Sequence, residues 1–166
     1  VSGLIIDNLA MLSEDRVYRY WLRRHVADRA GGASVNFIML NPSSADETND
    51  DPTIRRCIGF ARAWGYDRLD VTNLFAYRAT KPVHLYAAPD PVGPGNDGHL
   101  LRVAQDAAVV VAAWGVLGGL RGRAGAVSSL LAGIPVWCLG TTKAGAPRHP
   151  LYAPRASKLV RWWGPA

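Results

Sequence analysis

Four short apolar runs punctuate the chain, and each gives way to a polar or glycine-containing segment. VNFIML at 35–40, LDVTNLF at 69–75, AVVVAAWG at 108–115 and IPVWCLG at 134–140 are rich in strand formers and read as buried strands. A Gly-rich turn at 31–32 leads into the first. Helical spacing appears between them. Ile54, Cys57, Ile58, Ala61 and Trp64 recur at intervals of three and four. Asp51 precedes them where a carboxylate caps free amides, Pro52 fits the first helical position, and Gly65 ends the run. Further helices are predicted at 99–106 and, Gly- and Ala-rich, over 119–132. In RVYRYWLRRHV at 16–26, Tyr18, Tyr20 and Leu22 alternate with Arg19 and Arg23, which suits a half-buried strand and does not exclude a helix. Residues 157–163 read as either a short helix or an edge strand. The connection 76–98, ending in PDPVGPGND, is long for an ordered loop, and loops of that size usually have a task. With no linker or repeat in view, the chain reads as a single α/β domain over 1–166. Its expected core is a mostly parallel, four-stranded central sheet with helices on both faces, in three layers.

Composition narrows the class. At 166 residues and 49% hydrophobic, the chain supports one core. No apolar run approaches the roughly 18 residues of a membrane helix, and the N-terminus lacks a basic stretch followed by an apolar one, so a cytoplasmic, non-membrane protein is expected. Cys57 and Cys138 make neither a disulfide framework nor a metal site, and His25, His84, His99 and His149 lack ligand spacing; no cofactor or metal is expected. The formal charge of +6 is uneven, because residues 107–166 hold seven basic side chains and no acidic one. That imbalance suits either a phosphate-bearing partner or a solvated basic face. Neither GxxxxGK[ST] nor GxGxxG occurs, GVLGGLRG at 115–122 is only loosely glycine-rich, and no Gly-x-Ser-x-Gly elbow surrounds Ser43 or Ser44.

The polar residues that follow the strands are the candidates for chemistry. Asn41-Pro42-Ser43-Ser44-Ala45-Asp46 follows the first strand, Thr72-Asn73 sits in the second, and His149-Pro150 comes after the fourth. A parallel sheet gathers all three at one edge, where such folds bind ligands. An amide offers a donor and an acceptor, which suits reading a base or positioning a water. Asp46 or Asp51 can orient a water, and His149 can donate to a developing anion. Each has a plainer role beside it: Asn41 can cap a turn, and Asp51 is first a helix cap. Ser43, Arg55, Arg56, Arg78, Lys143 and Arg148 are candidates for holding phosphate or for solubility. Phe75, Trp114 and Tyr152 can stack a planar ring or pack in the core.

FIMLNPSSADETNDDPTIRRCIGFARAWGYDRLDVTNLFAYRAT, followed by DPVGPGNDGHL, AAWG and HPLY, resembles a bacterial and phage family of unknown function with the pattern LNPS-x-AD, DDPTIRRC and DPxGPxND. The likeness covers about residues 16–163. More distantly, the order of the blocks is similar to that of the uracil-DNA glycosylase superfamily. Asn41-Pro42 matches the Asn-Pro that some members carry after the first core strand. Asn73 matches a base-reading Asn, and His149-Pro150 matches the start of a His-Pro-Ser motif. Leu151 stands where that motif has Ser, which removes one phosphate-gripping group, and the Asp-Pro-Tyr form of the first motif is absent.

This resemblance implies a glycosylase-like fold and cleavage of an N-glycosidic bond in DNA or a nucleotide. Asn41, with Asp46, would position water, Asn73 would read the base, and His149 would support its departure. The alternatives are a non-catalytic nucleic-acid or nucleotide binding module, and an unrelated small-molecule enzyme on the same fold. The first reading requires Asn41, Asn73 and His149 to converge on one pocket with Asp46 or Asp51 in reach.

Overall fold

The computed structural model describes residues 8–27, 32–162 and 164. In chain order the strands are β1 (Leu9–Leu12), β2 (Arg19–His25), β3 (Ser34–Met39), β4 (Arg68–Asn73), β5 (Val109–Ala112), β6 (Val136–Cys138) and β7 (Val160–Arg161). The helices are α1 (Pro52–Ala63), α2 (Pro82–Ala87), α3 (Asn96–Asp106) and α4 (Arg123–Leu130), with 3₁₀ segments at Val116–Gly122 and Pro150–Tyr152.

Strand β3 is central because its side chains satisfy both faces of the sheet, and every one of them is buried. Val35, Phe37 and Met39 meet Ile54, Cys57, Phe60 and Ala61 of α1 in one apolar cluster. Ile38 points into a second cluster with Leu100 and Ala104 of α3 and Ala124 and Val127 of α4. Alternation along one strand therefore sends α1 to one face and α3 and α4 to the other. Burying a large apolar side chain in this way contributes about 1.5–3 kcal/mol. Inside β3 the Asn36 amide donates to the Asp70 carbonyl and the Thr72 hydroxyl of β4, while its Oδ1 is buried without a donor.

The strands form one sheet in the order β1-β2-β4-β3-β5-β6-β7. β4, β3, β5 and β6 run parallel, while β1–β2, β2–β4 and β6–β7 pair antiparallel. The four-stranded, mostly parallel, glycosylase-like sheet expected from the sequence is thus corrected to a seven-stranded mixed one. The pattern of continuous apolar runs finds strands buried on both faces. It does not register the four-residue β1 or the two-residue β7, and it leaves the charged, half-buried β2 unplaced at the β4 edge.

Other expectations change as well. The connection 76–98 contains helix α2. The helix predicted over 119–132 is broken: Leu120 and Arg121 leave helical geometry, Arg121 at φ 53°, and α4 starts only afterwards. The 157–163 tail contributes the edge strand β7. Gly31 and Trp163, which belong to predicted segments, lie outside the described residues. Helix α1 forms as its caps dictate, with the Asp51 carboxylate accepting from the Ile54 amide at 2.9 Å and Gly65 turning the chain at φ 80°.

Candidate functional site

Met39 of β3 lies level with Asn73 of β4, and Ile38 level with Ala112 of β5, so the carboxyl ends of the parallel strands share one edge. From β3 the chain turns to α1 on one face, and from neighbouring β5 it turns to the 3₁₀ segment and α4 on the other. Divergence between adjacent strands opens a crevice at their ends. A cleft of about 540 Å³ occupies that place.

Of the predicted residues, Asn41, Ser43, Trp114, Arg148, His149 and Tyr152 line the cleft, and so does Asp51. The Asn41 amide donates to the Pro42 carbonyl at 3.0 Å and to the Ala79 carbonyl at 2.8 Å, which ties the loop after β3 to the loop before α2. Both N–H groups are spent, leaving Oδ1 as an acceptor. Trp114 is 4% exposed and meets Trp162 edge to face. It needs Gly118 beneath it, since a Cβ there would lie 2.1 Å from the indole. Arg148, on the cleft wall, donates from Nε to the Thr141 carbonyl, which fixes its stem. Tyr152 is 81% exposed, its ring tilted against His149 at 5.8 Å.

His149 is half-buried, and its Nδ1 accepts from the Leu151 amide at 3.2 Å. That bond puts the proton of the neutral ring on Nε2. Burial lowers the imidazole's pKa from its ordinary value, and Asp51 opposes the shift. At neutral pH the ring is therefore an uncharged donor. One oxygen of Asp51 serves Ile54, and its second oxygen remains as an acceptor beside the cleft.

The remaining candidates lie elsewhere. Asp46 closes its own turn: its Oδ1 accepts from the amides of Thr48 and Asn49 at 3.0 and 2.9 Å, and these bonds hold its pKa down to about 2. Phe75 is fully buried in the cluster beneath α3 and α4. Lys143 is exposed in the turn closed by the Gly145 amide on the Thr142 carbonyl. Arg78 donates to the Arg16 carbonyl and is absent from the cleft wall. Asn73, 1% exposed, sits behind the cleft rather than on its wall, so of the three residues expected to converge on one pocket only Asn41 and His149 do, with Asp51 beside them.

Arg55 and Arg56 line a second depression of about 510 Å³ along the outer side of α1, with Phe60 and Arg155. Leu151 is common to the two. Arg55 donates to the Asp50 carbonyl, and Arg56 donates to the Ala153 carbonyl while lying over the Phe60 ring.

Arg19 is among the cleft residues that sequence reasoning missed, with Thr53 and Thr142. Strand alternation set it with Arg23 on the polar side of β2, yet it is 2% exposed. Between Met11 and Leu12 the β1–β2 register shifts, leaving Tyr20 without a partner in β1. Such a bulge reverses the alternation on one side of it. Two loop carbonyls show the outcome, because Arg19 and Arg24, one position out of step, both reach into the 45–46 segment.

Among the described residues no cluster of three or more His, Cys, Asp or Glu is arranged to hold a metal ion, and no helix is long and apolar enough to cross a membrane. Residues 19–151 match the model of a family described as a protein of unknown function (DUF1643). No curated protein and no solved structure matches the chain.

Proposed function

We propose that this chain, which belongs to the family described as a protein of unknown function (DUF1643), binds a nucleotide unit in the strand-end cleft and hydrolyses its N-glycosidic bond. The observation that carries the reading is the pairing of Asp51 with a neutral His149 in one cleft, the histidine's proton fixed on Nε2 by the Leu151 amide. The chemistry requires those two properties. The C1′–N bond breaks with its electron pair leaving on the base, and a neutral N–H donor stabilises the anion that forms. Water then attacks C1′. A carboxylate orients that water and stabilises the cationic sugar, the part assigned to the second oxygen of Asp51, with Asn41 Oδ1 as a further acceptor. The water's proton leaves to solvent, and the base is reprotonated there. Trp114 and Tyr152 supply aromatic surface for a planar ring.

One feature favours a second reading, binding without chemistry: Asp51 already serves as the N-cap of α1, and a cap that moved to act on water would loosen the helix. A panel of oligonucleotides with modified bases, single- and double-stranded, together with free nucleosides and nucleotides, separates the two when released base is measured by mass spectrometry. Hydrolysis predicts release from at least one substrate and its loss in His149→Ala. Saturable binding with no release from any of them establishes the second reading.

A further inference from the structure

Three other buried or half-buried arginines of this fold hold a carboxylate. Arg24 holds Asp50 at 2.8 Å, Arg23 holds Asp70 at 2.7 Å, and Arg123 holds Asp97 at 2.5 Å. Arg19 is as deeply buried as any of them and has none within ion-pair distance among the described residues. Its Nη1 donates to the Ala45 carbonyl at 2.8 Å, and its Nη2 reaches the Asn73 Oδ1 only at 3.5 Å. Its Nε is buried with no acceptor. The Nδ2 of Asn73, on the amide that Arg19 touches, is buried with no acceptor either.

Both orphaned groups are donors, so what this corner lacks is an acceptor. A buried guanidinium without a counter-charge is costly, and one that faces a cleft can receive the missing charge from a ligand. The surroundings point the same way. Burial lowers Arg19's pKa to about 10; Asp51 and Asp46 offset part of that shift, and Arg78 and Arg24 add to it. Arg19 remains charged at neutral pH. Arg148 brings a second guanidinium to the wall, and Ser43, Thr53 and Thr142 bring hydroxyls.

We infer that Arg19, at the floor of the cleft, is the receptor for an oxyanion, the phosphate of the bound nucleotide. The choice of phosphate over another oxyanion rests on the nucleotide reading of the cleft; the need for an anion does not. Arg19 Nε and one Nη donate to phosphate oxygens, and Arg148 closes from the wall. The same group is available from a free nucleoside monophosphate or from a strand.

Calorimetric titrations of the full chain with a nucleoside, its 5′-monophosphate, inorganic phosphate and a short oligonucleotide lacking a terminal phosphate test this. The monophosphate is expected to bind about 10- to 100-fold more tightly than the nucleoside, the factor supplied by charge-assisted hydrogen bonds, and inorganic phosphate is expected to compete with it. Arg19→Gln should abolish that preference and Arg55→Gln should keep it. Oligonucleotide binding that matches the monophosphate assigns the source to a strand, and weaker binding assigns it to the free nucleotide. Because a variant at a buried arginine risks misfolding, the Nε–H resonance of Arg19 in the unaltered protein gives a second readout, moving downfield as phosphate is added. Equal affinity for nucleoside and monophosphate, an unmoved Arg19 resonance, or a preference that survives in folded Arg19→Gln overturns the inference. Base release without a phosphate preference leaves the hydrolytic reading standing and removes the anion receptor; a phosphate preference without base release does the reverse.

Discussion

The two depressions that share Leu151 are nearly equal in size, about 540 Å³ at the strand ends and about 510 Å³ along α1, and both carry arginines. They differ in how their polar groups are held. In the α1 groove, Arg55 and Arg56 each donate to a backbone carbonyl of this chain's own loops, and Arg56 Nε is left buried without an acceptor. In the strand-end cleft the fixed groups leave a function over: an acceptor on Asn41, an oxygen on Asp51, the Nε2 donor of His149 and the Nε of Arg19. Volume and positive charge do not separate a site from a furrow. A convergent set of unmet donors and acceptors does, where a single orphaned donor does not.

The largest contrast between them lies in chemistry. His149→Ala is expected to lower the rate of base release by about 100-fold or more, the usual worth of a positioned donor, whereas Arg55→Ala changes it by less than about threefold. Equal losses from the two would erase the distinction. The reversible form of the same experiment is pH. The His149 pKa is lowered in the folded state, so the ring is neutral above its ordinary pKa and protonates only at more acidic pH. Base release measured against pH should be level above about 6.5 and fall on the acid side. Stability moves the same way: the unfolded chain binds the proton first, so acidification below about 6.5 favours unfolding until the folded-state pKa is passed.

Smaller effects come from the scaffold. Asn41→Ala unpairs the Pro42 and Ala79 carbonyls and should cost about 1–3 kcal/mol, read as a lowered unfolding midpoint, together with weaker ligand binding. Asp46→Ala removes a turn cap outside the cleft and should cost about 1 kcal/mol while leaving ligand affinity unchanged. A loss of affinity there would return Asp46 to the site.

The sequence carried the parts of this picture that depend on local chemistry. The buried runs placed the four central strands, and Asp51-Pro52 placed the start of α1. Asn41 and His149 were found because they follow strands on one sheet edge. What was not legible depends on contacts distant in the chain. β1 is a short edge strand stabilised by its partner, and β7 was legible only as one of two alternatives for 157–163. The bulge that turns Arg19 inward is set by pairing with β1, so no alternation within 16–26 reveals it. The segment following Asn41 looked like a water-positioning motif, but the Asp46 carboxylate is taken up by the amides two and three residues on. Phe75 looked available for stacking until α3 and α4 covered it.

On the proposed reading, ligand enters between the ends of β3 and β5 and not the groove along α1. Titrating the ¹⁵N-labelled chain with a nucleoside monophosphate tests it most directly, with the Trp114 indole N–H and the His149 ring reporting on one depression and the Gly59 and Arg55 amides on the other. Saturable shifts are expected at Trp114 and His149, with Gly59 and Arg55 unmoved. Shifts confined to Gly59 and Arg55 would contradict that reading.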